Sequence, residues 1–235
     1  MPVNFVHSLF YRVERGWDPI SPEYAKEYDG LASREIDTLL VKRLDSLAGG
    51  LAGKRILDLG GGPGHYSVLF AKLGARVTWH DISQQYEQIA RRHATLHGVA
   101  LDFSLGYLEE AKKFGQNSFD LVFCRVCWYY CRSDRAFGRS LYSLVRPGGI
   151  GYIECNTPAF SRPQGFRRLQ HWLNTYCWWK IGHPLPPHGR IAKLIHNYPV
   201  TYMKLNYSSA ERDIVTFVKS KTANWHEART IRDTF

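Results

Sequence analysis

Ile56-Leu-Asp-Leu-Gly-Gly-Gly-Pro-Gly-His-Tyr-Ser67 decides how this chain is read. An apolar run carrying one acid, Asp58, passes into a turn with Gly60, Gly62 and Gly64 before helical spacing begins. Glycines at such a turn let backbone approach a ligand without an intervening Cβ and tolerate positive φ. The helix start that follows offers N–H groups with no intrahelical partner. The pattern is D-x-G-x-G-x-G. It is not the dinucleotide fingerprint, whose last glycine would fall on His65 or Ser67, and it lacks the Lys-Ser/Thr of a phosphate loop.

Working outward, short apolar runs at 55–59, 76–79, 101–105, 119–124 and 149–155 alternate with helical patterns at 65–73, 84–97, 109–114 and 134–145. Alternation of this kind predicts an α/β fold, with parallel strands joined by right-handed crossovers and helices on both faces. Before it, a segment mixing aromatics, Pro and Gly leads into a helical stretch at 33–47 closed by Gly49-Gly50. After it come a Trp- and Arg-rich helix at 164–181, the Pro-rich GHPLPPHG, a short helix at 190–197, and strands at 200–206 and 214–219. The brief, turn-like Ser208-Ser209 link predicts that those two strands pair antiparallel.

With 235 residues, 44% hydrophobic and 22% charged, the chain can bury an ordinary core, which excludes wholesale disorder. A net charge of +10 admits nucleic acid, an anionic membrane surface or an acidic substrate and selects none of them. No apolar run reaches the ~18 residues of a membrane span. The opening MPVNFVHSLFYRVERGWDP has no uninterrupted apolar region or cleavage site, so no secretory signal is read. Five Cys without a scaffold pattern fit reduced thiols, and the expected location is cytoplasmic.

ILDLGGGPG followed by VTWHDIS resembles the first two motifs of the class I S-adenosylmethionine-dependent methyltransferases, and SFDLVFC and LVRPGGIGYIEC follow in the family's order. The resemblance covers 55–155, and the order of elements fits through Lys219. It implies a Rossmann-like, seven-stranded, mostly parallel sheet with an antiparallel last strand, a helical N-terminal cap, and a lid helix inserted after the fifth strand. The expected organisation is one domain: cap 1–53, cofactor-binding half 54–155, lid insertion and helix 156–199, terminal strand pair and tail 200–235. S-adenosylmethionine is the implied cofactor. By the same resemblance, Gly60, Gly62 and Gly64 line its amino-acid and ribose parts, Asp58 organises the loop or meets the cofactor's ammonium through water, and Asp81 meets the ribose hydroxyls. A carboxylate can accept from two vicinal hydroxyls at once. Ile82 packs on the adenine face. Gly106-Tyr107-Leu108 replaces the family's Gly-Asp, which leaves Tyr107 and Leu108 at the adenine edge. Cys124, Tyr24 and Arg34 complete the implied cofactor set, Tyr24 with Tyr28 on a closing helix and Arg34 toward the cofactor's carboxylate.

In open α/β sheets ligands bind beyond the carboxyl ends of the strands, which puts 125–131 on the acceptor side. Tyr130, or its neighbour Tyr129, is a candidate to orient an acceptor. His188 is a candidate general base, ahead of His183. Arg125, Arg162 and Arg190 are candidates for an anionic substrate group. In the lid, Phe166, Leu169, Leu173, Tyr176 and Cys177 form a stripe widened by Trp172 and Trp179, with Trp178 on the polar side, which predicts packing over the cleft. The sharper reading of the same helix is a peripheral membrane contact. Cys124, Cys127 and Cys131 follow C-x2-C-x3-C, the reverse of the radical-enzyme spacing, and no metal is expected. The function that follows is methyl transfer to a small-molecule or lipid-linked acceptor, at oxygen rather than nitrogen. Two alternatives stand beside it: an RNA methyltransferase, for which the charge speaks but no separate binding module does, and a non-catalytic cofactor-binding protein.

Overall fold

A computed structural model describes residues 17–206, 209–222 and 229–233. The opening segment read for a leader, apart from its last residues, lies outside the described residues, as do Ser208 and 223–228 of the tail. The cap is two helices, α1 (Pro22–Arg34) and α2 (Thr38–Ala48). The cofactor half runs β1 (Arg55–Leu59), α3 (His65–Lys72), β2 (Arg76–Asp81), α4 (Gln84–Leu96), β3 (Asp102–Leu105), β4 (Phe119–Arg125), α5 (Asp134–Leu144) and β5 (Val145–Asn156). The remainder is α6 (Phe166–Trp172), α7 (Arg190–His196), β6 (Val200–Asn206), β7 (Arg212–Lys219) and β8 (Arg229–Asp233).

The sheet order is β3-β2-β1-β4-β5-β7-β6-β8, and β7 runs antiparallel to both of its neighbours. β1 and β4 bury almost every residue, as strands covered on both faces do. From β1 the chain builds outward to β3 and then returns to β4 on the other side of β1. Crossovers therefore diverge between β1 and β4, and a crevice opens at the carboxyl ends of those two strands. β8, within the segment expected as tail, adds a parallel edge strand on β6, so the sheet has eight strands rather than the expected seven.

Three local expectations change. The single helix at 33–47 is interrupted: α1 ends at Arg34 and α2 restarts at Thr38, where Asp37 accepts a capping bond from the Leu40 N–H at 2.8 Å. The helix expected before β4 is a 3-10 segment, Leu108–Phe114. In the lid, α6 stops at Trp172, a π-helical turn covers Leu173–Cys177, and Trp178 follows with φ +59°. The extra residue in a π turn rotates everything beyond it. The expected core stripe faces outward on both sides of that turn: Phe166, Leu169 and Trp172 before it, and Tyr176 and Trp179 within and after it, are exposed, Tyr176 by 71%. Trp178, read as polar-side, packs against the core between the guanidinium groups of Arg135 and Arg190, 4.2 and 4.0 Å from its ring. Polar groups hold the lid down instead. Asp134 accepts from Lys180 Nζ (3.1 Å), Arg190 Nη1 (3.2 Å) and Trp128 Nε1 (3.0 Å), while Arg190 also donates to Asn174 Oδ1 and the Thr175 carbonyl. Among the described residues no helix is long and apolar enough to cross a membrane.

Candidate active site

The glycine loop sits at the crevice and is held by β2. The Gly60 and Gly61 N–H groups donate to the His80 carbonyl at 2.8 and 3.3 Å. Gly62 is held through both of its peptide groups: its N–H donates to Asp81 Oδ2 at 3.0 Å, and its carbonyl accepts from Trp79 Nε1 at 3.0 Å. A Cβ at Gly60 would lie 2.6 Å from Cys127, at Gly61 2.3 Å from Trp79, and at Gly64 2.6 Å from Ala90. At Gly62, with φ +51°, it would meet nothing nearer than the Tyr28 ring at 3.9 Å. Neighbours demand the other three glycines; Gly62 alone turns its open face to the cleft.

Two buried acids lie behind the loop. Asp58 accepts from Ser67 Oγ at 2.6 Å, and burial, reinforced by nearby Asp81, pushes its carboxyl up to about 7. Asp81 is also raised by burial, against N–H bonds from Gly62 and Ser83 that favour its ionised form. A cation bound in front of them would draw both toward ionisation. Facing the loop is a tyrosine wall: Tyr24 stacks on Tyr28 at 6.2 Å, Tyr28 meets Tyr86 at 5.7 Å, and Tyr130 lies 4.3 Å from Tyr129 and 5.2 Å from His183. Burial raises the phenols of Tyr28, Tyr86, Tyr129 and Tyr130 above the ordinary range. They stay protonated at neutral pH and act as donors and aromatic surface rather than as bases. The segment before α1 closes the edge: Asp18 Oδ2 accepts from the Gln85 N–H at 3.0 Å and Ser83 Oγ at 3.2 Å, and Trp17 stacks on Tyr107 at 6.4 Å.

Other residues singled out from the sequence fall in different places. Tyr107 lies between Trp17 and the Arg132 guanidinium, Leu108 packs on the core, and Ile82 is half-buried just past Asp81. The Cys124 thiol is fully buried, 3.4 Å from Cys127 Sγ, so only its backbone is left for a ligand. Arg34 is exposed at the last residue of α1. Two of the three arginines offered for substrate are already paired with acids: Arg125 donates to Glu154 at 2.9 Å, and Arg190 belongs to the Asp134 network. Arg162 is exposed. His188 Nδ1 lies 2.7 Å from Asp213 Oδ1, near the start of β7, where Asp213 pairs with Cys155 of β5. The roles of Asp213, Glu154 and Asn174 were not read from the sequence. No local motif marks them, because each is defined by a partner distant in the chain. Trp79 was within reach of such a reading, since it stands two residues before the acid that ends β2.

Residues 56–149 match the family described as methyltransferase domain. These residues are a methyltransferase domain. Its curated relatives include the ubiquinone biosynthesis O-methyltransferases of Bordetella avium, 33% identical over 135 residues (57% of this chain, 53% of that protein), and of Xanthomonas euvesicatoria pv. vesicatoria, 36% identical over 111 residues (46% of each). The chain thus spans about half the length of the curated relatives it matches. The methyltransferase fold recurs in a putative S-adenosylmethionine-dependent methyltransferase from Methanococcus maripaludis, with TM-score 0.57 at 15% identity over 86% of this chain and 94% of that one. It recurs too in the cyclase SpnF, with TM-score 0.58 at 14% identity over 76% and 80%.

The methyltransferase domain implies S-adenosylmethionine as cofactor, and the cleft suits it. A Cβ at Gly62 would fill the cradle, two buried carboxylates favour a cation, and tyrosine faces favour a sulfonium. Asp81→Ala is expected to weaken binding of S-adenosylmethionine and of its demethylated product by about 1.5–3 kcal/mol, roughly 10- to 150-fold, through loss of a charged acceptor. Calorimetry checks this, and unchanged affinity would remove Asp81 from the site.

Proposed function

We propose that this chain moves a methyl group from S-adenosylmethionine to a hydroxyl of an apolar small-molecule or lipid-linked acceptor. One observation carries the reading: Gly62, fastened by Asp81 and Trp79, opens onto a tyrosine-walled cleft at the switch point of the sheet. Bound S-adenosylmethionine supplies an electrophilic methyl carbon. The chain's own contribution is alignment and exclusion of water. Gly62 and Asp81 hold the ribose and amino-acid parts, and Tyr24 and Tyr28 cover them from α1. Tyr130, protonated, donates to the acceptor oxygen. His188 takes the acceptor's proton at Nε2 while Asp213, 2.7 Å from Nδ1, fixes the ring. The curated relatives' name supports oxygen as the accepting atom. The outward aromatic stripe, flanked by exposed Arg162, Arg167 and Arg168, supports an acceptor met at a lipid surface by peripheral contact.

The test is methyl transfer from labelled S-adenosylmethionine to hydroxylated polyprenyl-aromatic acceptors presented in anionic vesicles. His188→Gln should lower kcat by roughly 10²–10⁴-fold. Cofactor affinity should hold within about threefold, because the loop lies elsewhere. Methylation of amines with none of hydroxyls would overturn the oxygen reading, and an unchanged kcat in His188→Gln would remove the base.

A further inference from the structure

Three helices of different parts of the chain bring Asp29, His65 and His93 together. Asp29 lies on α1, His65 is the first residue of α3 immediately after the glycine loop, and His93 lies in the last turn of α4. The Nε2 atoms of both histidines stand 2.9 Å from the same carboxylate oxygen, Asp29 Oδ1, and the two rings are 4.7 Å apart. One ligand atom from each residue lies within 4.8 Å of the other two, and all three side chains are at least half withdrawn from solvent, at 13 to 26% exposure. Nothing in the cofactor or acceptor chemistry uses this cluster.

Two imidazole nitrogens converging on one carboxylate oxygen is a donor set of intermediate softness, suited to a first-row divalent cation such as Zn²⁺ or Co²⁺ rather than to Mg²⁺ or Ca²⁺. Bonds of about 2.0–2.2 Å to a tetrahedral ion set donor atoms about 3.3 Å apart. The observed 2.9 Å separations therefore need to open by only a few tenths of an ångström. Metal binding requires each imidazole to carry its proton on Nδ1 and present Nε2 to the ion, with the carboxylate bound as its anion and any displaced proton released to solvent, while water takes the fourth position. We propose that Asp29, His65 and His93 form a divalent-metal site that fastens the cap helix to the two helices flanking the glycine loop. Because α1 also carries Tyr24 and Tyr28, an ion there would hold the tyrosine wall over Gly62. The site depends on neither the acceptor nor methyl transfer, so its test reads metal alone.

The 235-residue chain stripped with chelator is titrated with Co²⁺ and Zn²⁺, following Co²⁺ ligand-field absorption and calorimetric stoichiometry. Wild type should take up one equivalent with a four-coordinate spectrum. His93→Gln, which can still donate to Asp29, and Asp29→Asn, which can still accept, should keep the far-UV spectrum and lose affinity by roughly 100-fold or more, at least what supporting partners around a metal contribute. His97→Gln, outside the cluster, and Cys177→Ser, which removes the exposed thiol, should bind as wild type does. Hydrogen exchange across Pro22–Arg34 should slow when the wild type is loaded. Equal uptake by His93→Gln or Asp29→Asn, or uptake lost in Cys177→Ser, would overturn the site. Unchanged exchange in α1 on loading would overturn its role as a fastening.

Discussion

Gly62→Val is expected to abolish S-adenosylmethionine binding while leaving the chain folded. The argument rests on which way each glycine of the loop faces. A side chain at Gly60, Gly61 or Gly64 would drive a carbon to within 2.6 Å of Cys127, Trp79 or Ala90, so losses there would be losses of fold. At Gly62 the nearest atoms to an added Cβ are the Tyr28 ring at 3.9 Å and the Gly60 carbonyl at 4.0 Å. A valine therefore projects its two methyl groups into the space between loop and tyrosine wall, where the backbone has to approach the ligand. The φ of +51° adds strain of about 1–3 kcal/mol for a β-branched residue, which a marginally stable domain can absorb. Cofactor affinity should fall by about 100-fold or more, some 3 kcal/mol, in calorimetry, with the far-UV spectrum unchanged. Gly61→Ala is the contrasting control, expected to lower the melting temperature through Trp79. Retained affinity in Gly62→Val would mean that the loop does not face the cofactor.

The loop and the strand–helix alternation were legible because each is written in local spacing. An apolar run, an acid and three alternating glycines mark a strand passing into a helix wherever the rest of the chain lies. The same locality misled in the lid. Phe166, Leu169, Leu173 and Tyr176 recur at helical spacing and read as a core stripe, but α6 already turns Phe166 and Leu169 to solvent, and the π turn at Leu173–Cys177 with the left-handed Trp178 breaks the helical register beyond them. Lys180 and Asn174 are buried in place of that stripe. Hydropathy places neither of them inside. They are inside because Asp134 and Arg190, far away in the chain, supply their partners. The pairing of Arg125 with Glu154 and of Arg190 with Asp134 was hidden for the same reason, since no spacing rule reveals a counter-ion on another strand or helix. Of the loop glycines, resemblance assigned Gly60, Gly62 and Gly64 alike to the ligand, and only side-chain geometry separates Gly62 from the two that serve packing.

Asp134→Ala is the corresponding test of how the lid is held. Asp134 is the first residue of α5, where the helix dipole favours a carboxylate. Its side chain is almost wholly buried against a Lys180 that is equally buried and an Arg190 nearly so. Burial pulls the Lys180 ammonium down, but Cys131 and Asp134 together hold it above the ordinary lysine range, so it is charged in the folded state. Removing the carboxylate leaves two cations inside the protein with only neutral partners: the Tyr129 carbonyl and Cys131 thiol for Lys180, and Asn174 and the Thr175 carbonyl for Arg190. Breaking one side of a buried pair in this way costs about 3–5 kcal/mol, a fall in melting temperature of roughly 6–20 °C for a chain of this size. The double variant Asp134→Ala/Lys180→Met removes one of the stranded charges and should recover about half of the loss, so the two substitutions will not add in denaturant titrations. Cofactor affinity should change by less than about threefold, since Gly62 and Asp81 are bonded to each other and to Trp79 and Ser83 rather than to this network. Acceptor turnover should drop as the segment carrying His183 and His188 loosens. A cost below about 1 kcal/mol, or additivity of the two substitutions, would show that apolar contacts around Trp178, rather than this charge network, seat the lid.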